Sequence, residues 1–236
     1  VDTSSSFFFK FDPNDQTFTK FVTSPPQPST YGNSTGIIKS PISRPYWSET
    51  DMNGNLFFNE QTSNQLAVFN IDNEQLVEYM VPSKNPNWAD CEDKLDSNCG
   101  VAQIFGFDAT GDSIWFTEWA ENKIGVVDTK KPLPFAVKTS TELITLKKGE
   151  TKTLSLNVIP SSPSEIKDIN FNYAHTASTV TMSSDIIVSH VFNESNEIIV
   201  SITASEIALS GDYKLLLGVY NSEVNVSKYI DVTIEP

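Results

Sequence analysis

The chain has 236 residues, with 16 Lys or Arg and 30 Asp or Glu, which gives a formal net charge of −14. This acidic balance disfavours binding to nucleic-acid phosphates and to anionic membrane surfaces. No apolar run reaches the roughly 18 residues that a membrane-spanning helix requires. The sequence starts Val1-Asp2-Thr3 without an initiator methionine, so we expect a processed or truncated product, with any export signal outside these residues.

A repeat of 58 residues runs through the first half of the chain. Segment 55–60 aligns with 113–118, segment 64–70 aligns with 122–128, and a partial copy precedes them. The copies consist of short runs rich in aromatic and branched residues, separated by turn sequences, which is typical of β-strands. The predicted strands are 7–12, 16–22, 45–51, 55–60, 65–70 and 75–80. Four short strands per copy, without a helical period, indicate β-propeller blades.

The copies do not add up to a closed ring. The first keeps only its last two strands, the second is complete, and the third ends near Pro132. Because a propeller needs about four blades or more to close, we expect residues 1–131 to be a partial, C-terminal portion of a propeller. The remaining blades would lie upstream in a longer chain or in another chain. Two long insertions, 24–42 and 83–100, are expected to be loops that bind a partner.

The two cysteines lie close together in the second insertion. Cys91 and Cys99 enclose a short acidic loop, and their spacing matches neither a zinc site nor a redox motif. We therefore predict a Cys91–Cys99 disulfide and an oxidising, extracellular or cell-surface location, with two unpaired thiols as the alternative. The acidic residues of this loop favour either a Ca²⁺ site or a solvated charged loop: Asp90, Glu92, Asp93 and Asp96.

A second β-rich unit follows a Pro-rich break at 130–134, which is typical of a linker. Its runs alternate apolar and polar residues, so each strand is expected to have one buried face. The predicted strands are 142–146, 154–158, 168–173, 178–182, 185–191, 197–203, 212–220 and 228–235. This number of strands within 136–236 indicates an immunoglobulin-like β-sandwich, with a turn at 147–150 and a tyrosine corner at 209–215. It resembles the bacterial and archaeal surface type.

Residues 43–128 resemble the streptogramin B lyase (virginiamycin B lyase) family of β-propellers. The resemblance is carried by Trp-Phe-Thr-Glu-Trp-Ala-Glu-Asn-Lys-Ile-Gly at 115–125 and by Leu-Phe-Phe-Asn-Glu at 56–60. It implies a magnesium-dependent C–O lyase with a histidine base and glutamate metal ligands. By position, it implies Glu60 and Glu118 as the metal ligands.

The histidine positions of the family signature hold other residues in this chain. Tyr46 occupies the first, and Gln103 or Ala102 occupies the second. None of these side chains is a base near neutral pH. The two histidines of the chain, His175 and His190, fall in the sandwich and are read as ordinary strand or loop residues.

Further candidate sites are aromatic residues and glycosylation sequons. Trp47 and Trp119 are candidates for stacking on a ligand, whereas the remaining aromatic residues of the blades are expected to pack between blades. Three Asn-x-Ser/Thr sequons begin at Asn33, Asn193 and Asn225. They carry little weight, since about four would arise by chance in a chain this rich in Asn, Ser and Thr.

Together these features predict an all-β, exported cell-surface or extracellular interaction or scaffold protein. Its propeller loops would bind a protein or glycan partner, and the sandwich would act as a spacer or attachment module. One alternative is a divalent-metal-dependent C–O lyase using Mg²⁺ or Ca²⁺. The other is an accessory module of a larger surface or membrane assembly.

Overall fold

A computed structural model of the chain describes residues 1–2, 4–32, 42–51, 53–91, 99–162, 168–177, 185–193 and 196–236. The described residues form seventeen β-strands, one four-residue helix (α1, Pro28–Tyr31) and two short 3₁₀ turns, Pro86–Trp88 and Trp119–Glu121. The predicted all-β class is therefore confirmed. Within the described ranges, no helix is long and apolar enough to cross a membrane.

The first half contains nine strands in the order that the repeat predicts. They are β1 (Phe7–Asp12), β2 (Thr17–Val22), β3 (Pro45–Thr50), β4 (Leu56–Glu60), β5 (Gln65–Asn70), β6 (Gln75–Met80), β7 (Ile104–Thr110), β8 (Ser113–Glu118) and β9 (Lys123–Asp128). Antiparallel pairing joins β1 to β2, β3 through β6 in sequence, and β7 through β9 in sequence. We call these three groups blades 1, 2 and 3.

The sequence repeat is also a backbone repeat. Strands β1, β5 and β9 start and end at the same offset of 58 residues, as do β2 and β6. Asn64 and Asn122, which are equivalent in the repeat, both have left-handed backbone angles, with φ of 58° and 52°. Gln16 and Glu74 form a second equivalent pair, with φ of 60° and 46°. Because side chains other than glycine rarely adopt this region, its recurrence shows that the turns of the blades are the same.

The second half is a sandwich of two sheets around one core. Its strands are β10 (Phe135–Thr139), β11 (Leu143–Leu146), β12 (Thr151–Pro160), β13 (Asn170–His175), β14 (Ile186–Phe192), β15 (Glu197–Ala204), β16 (Gly211–Tyr220) and β17 (Val224–Ile234). One sheet has the order β10-β12-β15-β14, and the other contains β13-β16-β17 with β11 parallel to β17. Leu, Ile and Val side chains from both sheets fill the space between them.

Several details of the sandwich match the sequence-based expectations. The hydroxyl of Tyr213 donates to the carbonyl of Leu209 over 2.9 Å, as the predicted tyrosine corner requires. Gly149 has a φ of +77° in the predicted turn. Strand β10 was not predicted, because it starts directly after the prolines at 132 and 134. The predicted strand 178–182 lies outside the described residues.

The sandwich and blade 2 are parts of one continuous sheet. Strand β17 pairs with β6, from Val224 opposite Tyr79 to Lys228 opposite Gln75, so the sheet runs β13-β16-β17-β6-β5-β4-β3. Tyr229 reaches further, and its hydroxyl donates to the carbonyl of Val22 over 2.6 Å. The boundary proposed near 131–136 therefore separates two patterns of sequence, but the two units share backbone pairing and buried side chains.

Candidate functional site

One end of blades 2 and 3 is covered with exposed aromatic side chains. Strands β3 and β7 begin at this end and β8 ends there, since Ile104 pairs with Glu118. We call this surface the aromatic end, and it consists of Tyr46, Trp47, Trp88, Phe105 and Trp119. Trp119 is the most exposed of the five, with 61% of its surface accessible. Both tryptophans predicted from the sequence lie here.

Trp88 and Trp119 form an edge-to-face pair with ring centroids 4.8 Å apart. Asn85 holds the two backbone segments together. Its Oδ1 accepts from the backbone N–H of Asn87 and caps the 3₁₀ turn before Trp88, while its Nδ2 donates to the carbonyl of Ala120. The sequence analysis missed Trp88 because it lies in an insertion without a repeat counterpart. The cap sequence Asn-Pro-Asn before it is the signal that pointed to an ordered turn.

A second aromatic pair lies where β3 and β7 begin. The rings of Tyr46 and Phe105 are 5.7 Å apart, and Trp47 is next to Tyr46 on β3. The pairing register shifts between Pro45 and Ser48, and a similar shift occurs on β7 between Ile104 and Phe107. Irregularities of this type turn side chains out of the normal alternation, which accounts for the exposure of Trp47 and Phe105.

Asn59 fixes this irregular backbone from behind. It is fully buried, its Oδ1 accepts from the N–H of Trp47 over 2.7 Å, and its Nδ2 donates to the carbonyl of Ile104. One side chain therefore joins blade 2 to blade 3 directly beneath the aromatic end. Asn64 makes a second connection, accepting from the N–H of Ala102 over 2.7 Å. The sequence analysis assigned no role to either asparagine.

The predicted Cys91–Cys99 disulfide is confirmed, with the two Cα atoms 5.7 Å apart. Its flanking backbone is attached to helix α1, because the N–H of Asp90 donates to Tyr31 and that of Gly100 donates to Thr30. Gly32 permits this contact, since a Cβ atom there would lie 2.0 Å from the carbonyl oxygen of Asp90. The candidate Ca²⁺ ligands Glu92, Asp93 and Asp96 lie outside the described residues.

Glu60 lies beside another carboxylate instead of an oppositely charged group. It is fully buried, and neither of its carboxylate oxygens has a hydrogen-bond partner. Burial and the neighbouring charge of Glu78 raise the pKa of Glu60 well above its usual range. Burial also raises the pKa of Glu78, although hydrogen bonds from Ser24 and Asn225 oppose that rise.

These surroundings do not fit the magnesium site that the family resemblance implies. Mg²⁺ keeps several water ligands, and the fully buried Glu60 has no solvent around it. Glu118 is also buried, and its Oε2 has no partner. Within the described ranges, no three or more His, Cys, Asp or Glu side chains are grouped so that they could hold a metal ion. No chemical step is therefore derived through a metal.

The positions equivalent to the family histidines have structural surroundings. Tyr46 packs against Phe105, and the carbonyl of Gln103 accepts from the N–H of Trp119 over 3.0 Å. His175 and His190 lie on strands β13 and β14 of the sandwich. The ring of His190 packs 4.5 Å from that of Phe171.

The three sequons differ in accessibility. Asn33 lies outside the described residues, and Asn193 is exposed at the end of β14. Asn225 is fully buried, and its Nδ2 donates to Ser24 and Glu78. Glycosylation at Asn225 is therefore incompatible with this fold, because the nitrogen that would carry the sugar is buried and hydrogen bonded.

Comparison with known proteins gives no family assignment. No family model and no curated protein matches the chain. Solved structures that resemble it include selenomethionine-substituted virginiamycin B lyase from Staphylococcus aureus, with 12% identity, a TM-score of 0.33, and coverage of 97% of this chain and 74% of that chain. The S-layer protein rSbsC has 11% identity, a TM-score of 0.30, and coverage of 98% and 35% respectively. A chimeric titin Z1Z2 has 14% identity, a TM-score of 0.28, and coverage of 42% and 94%.

Proposed function

We propose that this chain is an exported cell-surface or extracellular interaction protein and that the aromatic end binds its partner, a protein or a glycan. The observation that carries this proposal is the collection of five exposed aromatic side chains on one end of rigid strands. Tyr and Trp are the side chains that contribute most to binding energy at protein interfaces, and their flat faces also stack on sugars.

The support beneath the aromatic end favours binding without large rearrangement. Asn59 fixes the backbone of Trp47, Asn85 joins the segments of Trp88 and Trp119, and the disulfide closes the adjacent loop. A surface that is ordered before binding loses less conformational entropy when a partner binds. The disulfide also supports an oxidising compartment, since such bonds are rare in the cytosol.

The lyase alternative has less support. It requires a group that removes a proton near neutral pH, and the two signature positions hold Tyr46 and Gln103. It also requires a cation beside Glu60, where the structure has Glu78 instead. The interaction function needs neither group.

Binding to two panels of probes tests the proposal. One panel contains chitohexaose and cellohexaose, and the other is a phage-displayed peptide library selected on the wild-type chain. The test variant combines Trp88→Ala with Trp119→Ala, and the control is Trp115→Ala, an exposed tryptophan on the side of blade 3. We expect a binder from at least one panel, and the double variant should weaken it about 30-fold or more while the control leaves it unchanged. The absence of a binder, or equal loss in the control, would contradict the proposal.

A further inference from the structure

The two outer blades each present an uncovered apolar face. On the β1–β2 ribbon this face consists of Phe9, Phe11 and Phe18, and we call it the leading face. On strands β8 and β9 it consists of Trp115, Ile124 and Val126, and we call it the trailing face. Ile124 is 75% exposed and Phe18 is 68% exposed. Soluble proteins seldom leave contiguous apolar surface of this kind uncovered unless it contacts a partner.

The trailing face has a buried counterpart one repeat earlier. Positions 58 residues before Trp115, Ile124 and Val126 are Phe57, Leu66 and Val68. Phe57 and Leu66 are buried in the cluster between blades 2 and 3, and Val68 packs against the same cluster. The residues that blade 2 uses to contact the following blade are therefore repeated on blade 3, where no blade covers them among the described residues.

The leading face has a buried counterpart one repeat later. Positions 58 residues after Phe9, Phe11 and Phe18 are Ala67, Phe69 and Leu76. All three are buried in the cluster where blade 2 packs against blade 1. Within that cluster the ring of Phe69 lies 5.1 Å from Phe8 and 5.0 Å from Phe21. Blade 1 therefore repeats the surface with which blade 2 contacts the preceding blade.

The chain thus carries both halves of an interface that it forms twice internally. We propose that the trailing face of one copy docks on the leading face of a second copy, in the same manner as successive blades. Charge supports this direction of docking, because Lys20 lies opposite Phe9 on the leading face and Asp108 lies opposite Trp115 on the trailing face. This inference does not depend on the aromatic end.

The arrangement makes two physical consequences measurable. The contact joins two different surfaces, so it extends head to tail into a ring or a filament instead of stopping at a symmetric dimer. Each copy also has a net charge of −14, so copies repel one another at low salt. Association should therefore strengthen as salt screens this repulsion, because contacts between apolar faces are not weakened by screening.

Sedimentation velocity of the full chain tests the proposal through four exposed-site variants. Ile124→Lys blocks the trailing face and Phe18→Lys blocks the leading face. Their controls are Ile207→Lys and Val191→Lys on the sandwich, since Ile207 is 75% exposed and Val191 is 68% exposed. All four positions are on the surface, so the variants should fold, and circular dichroism checks this.

We expect the wild-type chain and both controls to form larger species as concentration and salt increase. Ile124→Lys and Phe18→Lys alone should each weaken association about tenfold or more. When the two are mixed, the trailing face of the Phe18→Lys chain should dock on the leading face of the Ile124→Lys chain and give a one-to-one complex.

Three results would overturn the proposal. A wild-type chain that stays monomeric would leave a blade of another polypeptide as the occupant of these faces. Variants that associate like their controls would place the contact elsewhere on the molecule. A mixture that forms no one-to-one complex would show that the faces do not pair with each other.

Discussion

Asn225 of β17 donates a hydrogen bond from Nδ2 to Oε2 of Glu78 on β6 over 2.9 Å, and both side chains are fully buried. The same nitrogen donates to the hydroxyl of Ser24, which in turn hydrogen bonds to Glu78. Three segments that are distant in sequence therefore meet at one carboxylate. This contact connects the loop after blade 1, the outer strand of blade 2 and the sandwich.

Asn225→Ala should destabilise the fold by about 2 kcal/mol, because it removes two hydrogen bonds and leaves a buried carboxylate with fewer donors. The matched control is Asn193→Ala, at the exposed sequon, which should change the free energy of unfolding by less than about 0.5 kcal/mol. Urea denaturation measures both. Equal effects at the two sites would contradict the role assigned to the Asn225–Glu78 contact.

Glu60→Gln should stabilise the protein at high pH. Since the pKa of Glu60 is raised in the folded state, the folded chain holds a proton that the unfolded chain releases above its ordinary pKa. The free energy of unfolding therefore falls as pH rises from the ordinary carboxyl pKa to the raised value. Glutamine does not titrate, so the variant should gain roughly 1–3 kcal/mol over the wild type once Glu60 would be ionised.

Thermal unfolding between about pH 4 and pH 8 measures this difference. The exposed Glu235→Gln is the control, and its effect should not change with pH in this way. If the difference between Glu60→Gln and the wild type were the same at both ends of the range, Glu60 would not be a buried carboxyl with a raised pKa.

Reduction of the disulfide should loosen the loop beside the aromatic end. Cys91 and Cys99 are eight residues apart, and closing a loop of this length stabilises a fold by roughly 2–3 kcal/mol. We expect intact mass to increase by about 2 Da on reduction and the melting temperature to fall. The double variant Cys91→Ser/Cys99→Ser should show the same lower stability without reductant. A melting temperature that does not respond to reductant would show that the loop adds no stability.

Blades and sandwich should unfold in a single transition. Strand β6 pairs with β17, and Phe21 and Phe69 pack around Tyr229. Two units that share a sheet and a core lose these contacts together, so calorimetric and van't Hoff enthalpies should agree. Two separate heat-absorption peaks would show that the units fold independently despite this interface.

The sequence predicted the strands of the blades well because each is repeated. An offset of 58 residues recurs in strand bounds and in left-handed turns, so one copy supports the reading of another. Trp88 was missed because its insertion has no second copy. Strand β17 was predicted only from residue 228, since Asn225 and Ser227 resemble turn residues. In the structure they are buried polar residues in the part of β17 that pairs with β6.

The pairing of β6 with β17 could not be predicted from local patterns. Neither strand alternates strictly between apolar and polar residues, because each is covered on both faces by other parts of the chain. The same limitation applies to Glu60. The family signature marked its position, but only the fold shows that Glu78 is its neighbour.

The most direct test of the account is fluorine NMR of the chain labelled with 5-fluorotryptophan. Trp47, Trp88 and Trp119 lie at the aromatic end, whereas Trp115 lies on the trailing face, and single Trp→Phe variants assign the four signals. Dilute protein is titrated with chitohexaose, cellohexaose and the selected peptides. We predict that a binding probe shifts the signals of Trp88 and Trp119 and leaves that of Trp115 in place. A probe that binds and shifts only Trp115, or none of the tryptophans at the aromatic end, would contradict the account.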